Sequence, residues 1–195
     1  LMGLEESVRA AMDADLRHEV VARWVEGAIA CRNFHPEYGY YAMRAGAEAA
    51  GPATTDAVFS TVCTIGGARG YFFANSLWAV RRAIDWLVGG PSYRRRRRHP
   101  TELRVGDVVD SWRVIALEPG RRLTLLMEMK APGAGVLEFV VRPGADGTGS
   151  RVSATAYWHP AGVLGLAYWY SLVPAHLFLF RGLTRAIQRL AARRP

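Results

Sequence analysis

The sequence predicts an α+β fold in which a curved antiparallel sheet wraps one long C-terminal helix. Three observations predict it. Between residues 107 and 160, hydrophobicity alternates with period two in four runs separated by short Gly/Pro-containing turns. From about residue 165 the period becomes that of a long amphipathic helix. Two shorter helical patterns follow a first strand and precede the four runs. Helices set to one side of a sheet whose connections are too short for crossovers define α+β.

Taken in order, residues 4–30 read as helical and mixed, with Val20, Val21, Trp24 and Val25 among Arg and Glu, and end in the polar stretch "CRNFHPE". That pattern suits a lead-in arm, so residues 1–36 are expected to be an arm and 37–195 the domain. "YGYYAMRAGAEA" (38–49) begins like a strand, with Tyr38, Tyr40 and Ala42 on one side. After Gly51-Pro52, Thr54 or Thr55 is a helix N-cap, followed by Asp56 and then apolar Val58, Phe59 and Val62, with an expected end at Gly66-Gly67. A second helix from about Ser76 carries Leu77, Val80, Ile84, Trp86 and Leu87 and stops at Gly89-Gly90.

Five consecutive arginines follow, Arg94 to Arg98. In a strand they alternate, Arg94, Arg96 and Arg98 to one side and Arg95 and Arg97 to the other, so they do not make one basic patch. One set can guard a sheet edge against self-pairing. The period-two runs at 107–118, 121–130, 135–143 and 150–160 bring the count to six strands, where the helix-grip fold has seven. In the closing helix (165–193), Trp169, Leu172, His176, Leu179, Leu183, Ile187 and Leu190 share a stripe, with Arg181, Arg185 and Arg189 opposite. Pro174 either kinks this helix or marks its start.

The formal net charge is +8. The arginine run and Arg181, Arg185, Arg189, Arg193 and Arg194 account for all of it, since the rest of the chain sums to −2. Basicity confined to two clusters does not argue for nucleic acid. Lys130 is the single lysine, a pattern of GC-rich bacterial coding. Cys31 and Cys63 are too few for a disulfide framework or a zinc site, and "LMGLEESVRA" has no leader pattern, so a reducing cytoplasm is expected. Residues 160–180 carry no formal charge and could span a bilayer by length, but Pro174, His176, Ser171 and the run Tyr168–Tyr170 favour a buried helix.

"IGGARGYFFANSLWAVRRAIDWLVGG" (65–90), "RRRRRHPTELRVGDVVDSWRV" (94–114), "LLMEMKAPGAGVLEF" (125–139) and "YWYSLVPAH" (168–176) resemble the DUF2867 domain, over about residues 37–190. That family is related to the START/Bet v 1-like (SRPBCC) ligand-binding superfamily. Its basic stretch commonly reads Arg-Arg-Gly-Arg-Arg, so Arg96 stands where a glycine is usual. The resemblance implies a helix-grip domain, often C-terminal to an NAD(P)-binding, short-chain-dehydrogenase-like domain whose tail residues 1–35 resemble. "GGARG" (66–70) follows a helix rather than a strand, so no dinucleotide fingerprint is present in this chain. NAD(P) enters only through a fused or missing upstream domain.

Several polar residues are candidates for the interior. His176 lies on the apolar stripe with Trp169 and Leu172, as a core residue or as a general base. Asp110 and Trp112 share one strand face, as do Glu128 and Lys130. Either these face the interior, or Leu125, Met127 and Met129 do, because period two leaves the inward face unset. Lys130 and Glu138 are expected outside. His159 sits at a strand end. No Ser-His-Asp, Cys-His or HExxH pattern appears, and no metal is expected.

The residues expected to hold a ligand are Trp112, Asp110, Glu128, Trp169, Leu172, His176 and Arg96, with His176 and Glu128 as the catalytic candidates. The expected partner is a small hydrophobic or amphipathic molecule between sheet and C-terminal helix, with no nucleic acid and no transmembrane span, on a monomer or weak homo-oligomer. The alternatives are an enzyme, or the C-terminal half of an NAD(P)-dependent oxidoreductase with the cavity holding substrate. A third reading is a protein at a membrane surface.

Overall fold

A computed structural model of the chain describes residues 3–17, 43–90 and 97–193. The strands are β1 (Met43–Gly51), β2 (Val108–Val109), β3 (Trp112–Glu118), β4 (Arg122–Met127), β5 (Gly133–Pro143) and β6 (Ser150–Pro160). They form one sheet in the order β1-β6-β5-β4-β3-β2, with every neighbouring pair antiparallel. The helices are α1 (Leu4–Leu16), α2 (Thr55–Val62), α3 (Asn75–Leu87) and α4 (Gly162–Ala191). A curved antiparallel sheet gripping a long C-terminal helix is the helix-grip fold that the sequence predicts. Leu4, Val8, Met12 and Leu16 of α1 are exposed, so this helix adds nothing to the core.

Alternation along the strands selects the concave face. Cross-strand rows Val114–Leu125–Leu137–Ala156 and Leu123–Phe139–Ala154–Ala47 run across it and carry the core with Val58, Val62, Leu183 and Ile187 from the helices. On β1 and the middle of β6 this face is alanine: Ala45, Ala47, Ala154 and Ala156. Small side chains there let α4 settle close to these two strands, while large residues on β3 and β4 hold the other side open.

α4 is pinned at both ends. Near its start, Trp158 Nε1–H donates to the Gly165 carbonyl at 3.2 Å. A Cβ on Gly165 would stand 2.4 Å from the Pro132 carbonyl oxygen, so the crossing requires glycine. Near its end, the buried Gln188 amide donates to the carbonyls of Ser150 at 3.1 Å and Ala49 at 3.3 Å. The helix runs unbroken through Pro174 from Gly162, so Pro174 does not mark its start. Leu190, placed on the inner stripe by the sequence, is exposed.

Several boundaries differ from the sequence reading. The run 107–118 is two strands, because the chain reverses at Asp110, whose φ is 52°, and Ser111. A register shift between Val114 and Ala116 bulges β3. α2 starts after Thr54, whose hydroxyl accepts from Ala57 N–H, and ends at Val62, short of Gly66-Gly67. The strand start at 38–42 lies outside the described residues, as do Arg94, Arg95 and Arg96.

Arg97 and Arg98, the described part of the arginine run, are not in a strand. The Arg97 guanidinium donates to the carbonyls of Cys63, Ile65 and His99, capping the C-terminal end of α2 where unpaired carbonyls collect. Arg98 makes a two-pronged pair with Asp107, Nε to Oδ1 and Nη2 to Oδ2 both at 2.9 Å, with only 4% and 2% of the two side chains exposed. Their partners lie inside the fold, so these two arginines clamp it rather than guard an edge. Burial pushes the neighbouring Cys63 thiol up to about 11, with Arg97 opposing, so Cys63 stays protonated near neutrality.

Candidate ligand-binding site

Between its two pins, α4 arches over a cavity of about 260 Å³. That is just below the range of small-molecule sites, about 300–1,000 Å³. The sheet supplies Trp112, Met127, Leu137 and Trp158, and the segment after β4 supplies Met129; α4 supplies Trp169, Leu172, His176, Leu179 and Phe180; α3 closes one side with Leu77, Trp78, Val80 and Ile84. The floor follows from register: Trp112 pairs with Met127, and Gly135 pairs with Trp158. Gly135 sits between Met127 and Trp158, so the missing side chain lets these two large residues close over it: a Cβ there would stand 3.3 Å from the Trp158 ring and 3.4 Å from Met127. Trp158 stands among aromatics, with ring centroids 5.3 Å from Tyr168 and 6.4 Å from Trp169.

α3 is held over the mouth by its polar side. Asp85 is fully buried and accepts from Lys130 N–H at 2.6 Å, while Arg81 donates to the Lys130 carbonyl at 3.2 Å. Arg81 and Asp85 are 3.7 Å apart. Below, the Tyr71 and Trp78 rings stack at 4.3 Å. The apolar residues that the sequence places on α3 are therefore not in the core. Leu77, Val80 and Ile84 rim the cavity half-exposed, and Trp86 and Leu87 face outward.

Polar groups in the lining are few. His176 lies between the rings of Trp169 and Phe180, and its Nδ1 is buried without a hydrogen-bond partner among the described residues. Burial pushes its pKa below the usual 6.5, so the imidazole is neutral at pH 7. Arg81 also lines the cavity, beside its contact to Lys130.

Of the residues that the sequence nominates, Trp112, Trp169, Leu172 and His176 come together in this lining. Glu128 lies elsewhere. It follows Met127 by one residue, so it points to the convex face, where its buried carboxylate accepts from Arg113 Nε at 2.7 Å. No acid–base pair with His176 forms. Asp110 also lies outside the lining, because its carboxylate turns at the β2–β3 hairpin to accept from Gly67 N–H at 3.2 Å. Burial, and then the adjacent Asp110 carboxylate, push the Tyr71 phenol well above its usual range. Arg96 lies outside the described residues. Glu138 is on the convex face, as expected, but is buried there, accepting from the Tyr157 hydroxyl at 3.3 Å beside Arg122.

Sequence reasoning missed Trp158, Phe180 and Arg81, while Met127 and Met129, the alternative it left open for the inward face, do line the cavity. The strand register opposite Gly135 that puts Trp158 on the floor has no local signature. Phe180 could have been found, because it lies four residues beyond His176 on the same stripe. Among the described residues, no group of three His, Cys, Asp or Glu side chains is placed to hold a metal.

Fold and site together define a helix-grip domain with an aromatic, largely apolar cavity under its long helix. The family described as protein of unknown function (DUF2867) matches residues 40–183, and the chain belongs to that family. No curated protein matches the sequence. Among solved structures, the chain is similar to the Zhui aromatase/cyclase from Streptomyces sp. R1128, with 14% identity and a TM-score of 0.46, covering 78% of this chain and 95% of that one. It is also similar to norcoclaurine synthase from Thalictrum flavum, with 9% identity and a TM-score of 0.46 over 83% and 94% of the two chains. A protein of Nitrosospira multiformis gives 14% identity and a TM-score of 0.47 over 78% and 100%.

Proposed function

We propose that the protein binds a small, largely apolar molecule in the cavity between the sheet and α4. The observation that carries this reading is the lining: aromatic, Leu and Met side chains around space that the fold holds open by pinning α4 at Gly165 and Gln188. A polar anchor is available at His176 Nδ1, whose neutral ring donates or accepts one hydrogen bond according to its tautomer. A ligand with one polar group near its middle and an apolar remainder fits this arrangement. Because the described lining holds no carboxylate, the cavity favours binding over proton transfer by a His–Glu pair.

Native mass spectrometry of the purified chain tests the reading, with the Ala156→Trp variant beside it. Ala156 faces the cavity from β6, so the indole fills the space. The expected result is a retained small molecule on the parent chain and none on a folded Ala156→Trp variant. Equal occupancy of both, or a parent chain that takes up no apolar compound from bacterial extract, would overturn it.

A further inference from the structure

We propose that the protein docks on an anionic membrane surface through the outer face of α4, beside the mouth of the cavity. A helix laid on a sheet ordinarily turns a polar face to water. α4 does so only in its second half. On the side opposite the Trp169–His176–Ile187 stripe, the first half presents Val163, Tyr170 and Phe178, which are 80%, 65% and 58% exposed. Arg181, Arg185 and Arg189 continue the same face and are exposed. No acidic residue occurs anywhere in α4, and these three arginines have no carboxylate partner among the described residues. Across the cavity mouth, α3 adds Val80 and Leu87, 57% and 73% exposed. Scattered exposed apolar residues are ordinary, but a contiguous face of them beside a basic row marks a contact surface.

The charge pattern selects the occupant. Two copies of α4 packed antiparallel would set each arginine row against the partner's apolar half, stripping water from guanidinium groups without replacing it. Packed parallel, the rows would face each other as like charges. An anionic bilayer takes both halves at once: acyl chains meet Val163, Tyr170 and Phe178, and headgroup phosphates meet the arginines. By length and hydropathy α4 could cross a bilayer, but its inner stripe is committed to the sheet through Trp169, Leu183 and Ile187, so it lies on the surface. In that pose the mouth between α3 and α4 faces the acyl layer. The proposal does not depend on the cavity being occupied.

Sedimentation of the purified chain with phosphatidylcholine vesicles, with and without phosphatidylglycerol, is the test. Binding is expected on the anionic vesicles, weaker on the neutral ones, and decreasing with salt. Combining Tyr170→Glu with Phe178→Glu should lower binding by roughly tenfold or more, since both side chains belong to the exposed apolar face that would enter the acyl layer. Arg185→Glu with Arg189→Glu should lower it on anionic vesicles and leave neutral ones unchanged. All four positions are exposed, so the variants keep the fold, which circular dichroism checks. Equal binding to both vesicle types, no binding to either, or no effect of either variant pair would overturn the proposal. So would light scattering that shows a dimer dissolved by Phe178→Glu.

Discussion

His176 packs against Trp169 two turns back along α4, with ring centroids 4.9 Å apart and planes inclined at 51°. Phe180 covers the other side at 5.6 Å. Charging the imidazole between these rings would require water that burial has removed, so its pKa falls below 6.5. The sign follows. In the unfolded chain the ring protonates near its ordinary value, while in the folded chain it resists until lower pH. Its contribution to stability is complete above about pH 6.5 and is lost as pH falls from there through the folded value. A ¹H–¹⁵N NMR titration should place the His176 midpoint below 6.5, and His176→Leu should flatten the acid side of the stability curve. A midpoint at or above 6.5 would contradict the burial argument.

The Arg98–Asp107 pair tests whether the end of the arginine run is structural. Both side chains are almost fully buried, and Asp107 also accepts from Arg104 N–H at 2.9 Å, so removing one partner strands the other. Arg98→Ala and Asp107→Ala should each cost about 3–5 kcal/mol in urea unfolding. Arg98→Lys should recover little, because an ammonium group cannot make the two parallel bonds. A loss below about 1 kcal/mol, the range of an exposed pair, would mean that solvent reaches this site.

How much of this was legible in the sequence depended on which physical signal placed each residue. Trp169, Leu172 and His176 were readable because a 3.6-residue period puts them on one stripe, and the alanine faces of β1 and β6 confirm which stripe turns inward. Glu128 and Met127 were not separable, since a period of two states that they point apart and nothing about which is inside. Leu77, Val80 and Ile84 of α3 do share a face, though Trp86 and Leu87 leave it, and periodicity does not say whether a stripe meets a core or stands over a cavity mouth. Arg97 and Arg98 resolved only in three dimensions. Arg97 caps carbonyls more than thirty residues earlier, and Arg98 needs an acid that the chain brings back at Asp107.

Asp85 should control how firmly α3 closes the cavity. Its carboxylate holds the Lys130 N–H from a fully buried position, and no other charged residue of α3 is buried. Asp85→Ala should lower stability by about 1–3 kcal/mol, the cost of leaving a buried donor unmet. Hydrogen exchange separates this from general loosening. Amides of 75–87 should lose protection most, while those of β5 and β6 keep theirs until global unfolding. Uniform loss across the chain would mean that α3 is part of the cooperative core rather than a tethered cover.

Gly165 offers a test in which two effects have opposite signs. In the interior of an exposed helix, glycine to alanine stabilises by about 1 kcal/mol through backbone entropy. At Gly165 the added methyl would stand 2.4 Å from Pro132 O and 2.8 Å from Pro160 Cα, both main-chain atoms that cannot rotate away. Relieving the clash means lifting the start of α4 from β6, which stretches the Trp158 bond to the Gly165 carbonyl and disturbs the stacked rings of Trp158 and Trp169. Overpacking of this kind costs about 1–3 kcal/mol, so Gly165→Ala should be destabilising overall. The near-ultraviolet circular dichroism of the tryptophans should change with it. A stabilised variant with an unchanged tryptophan signal would show that α4 does not rest on the Pro132 and Pro160 main chain.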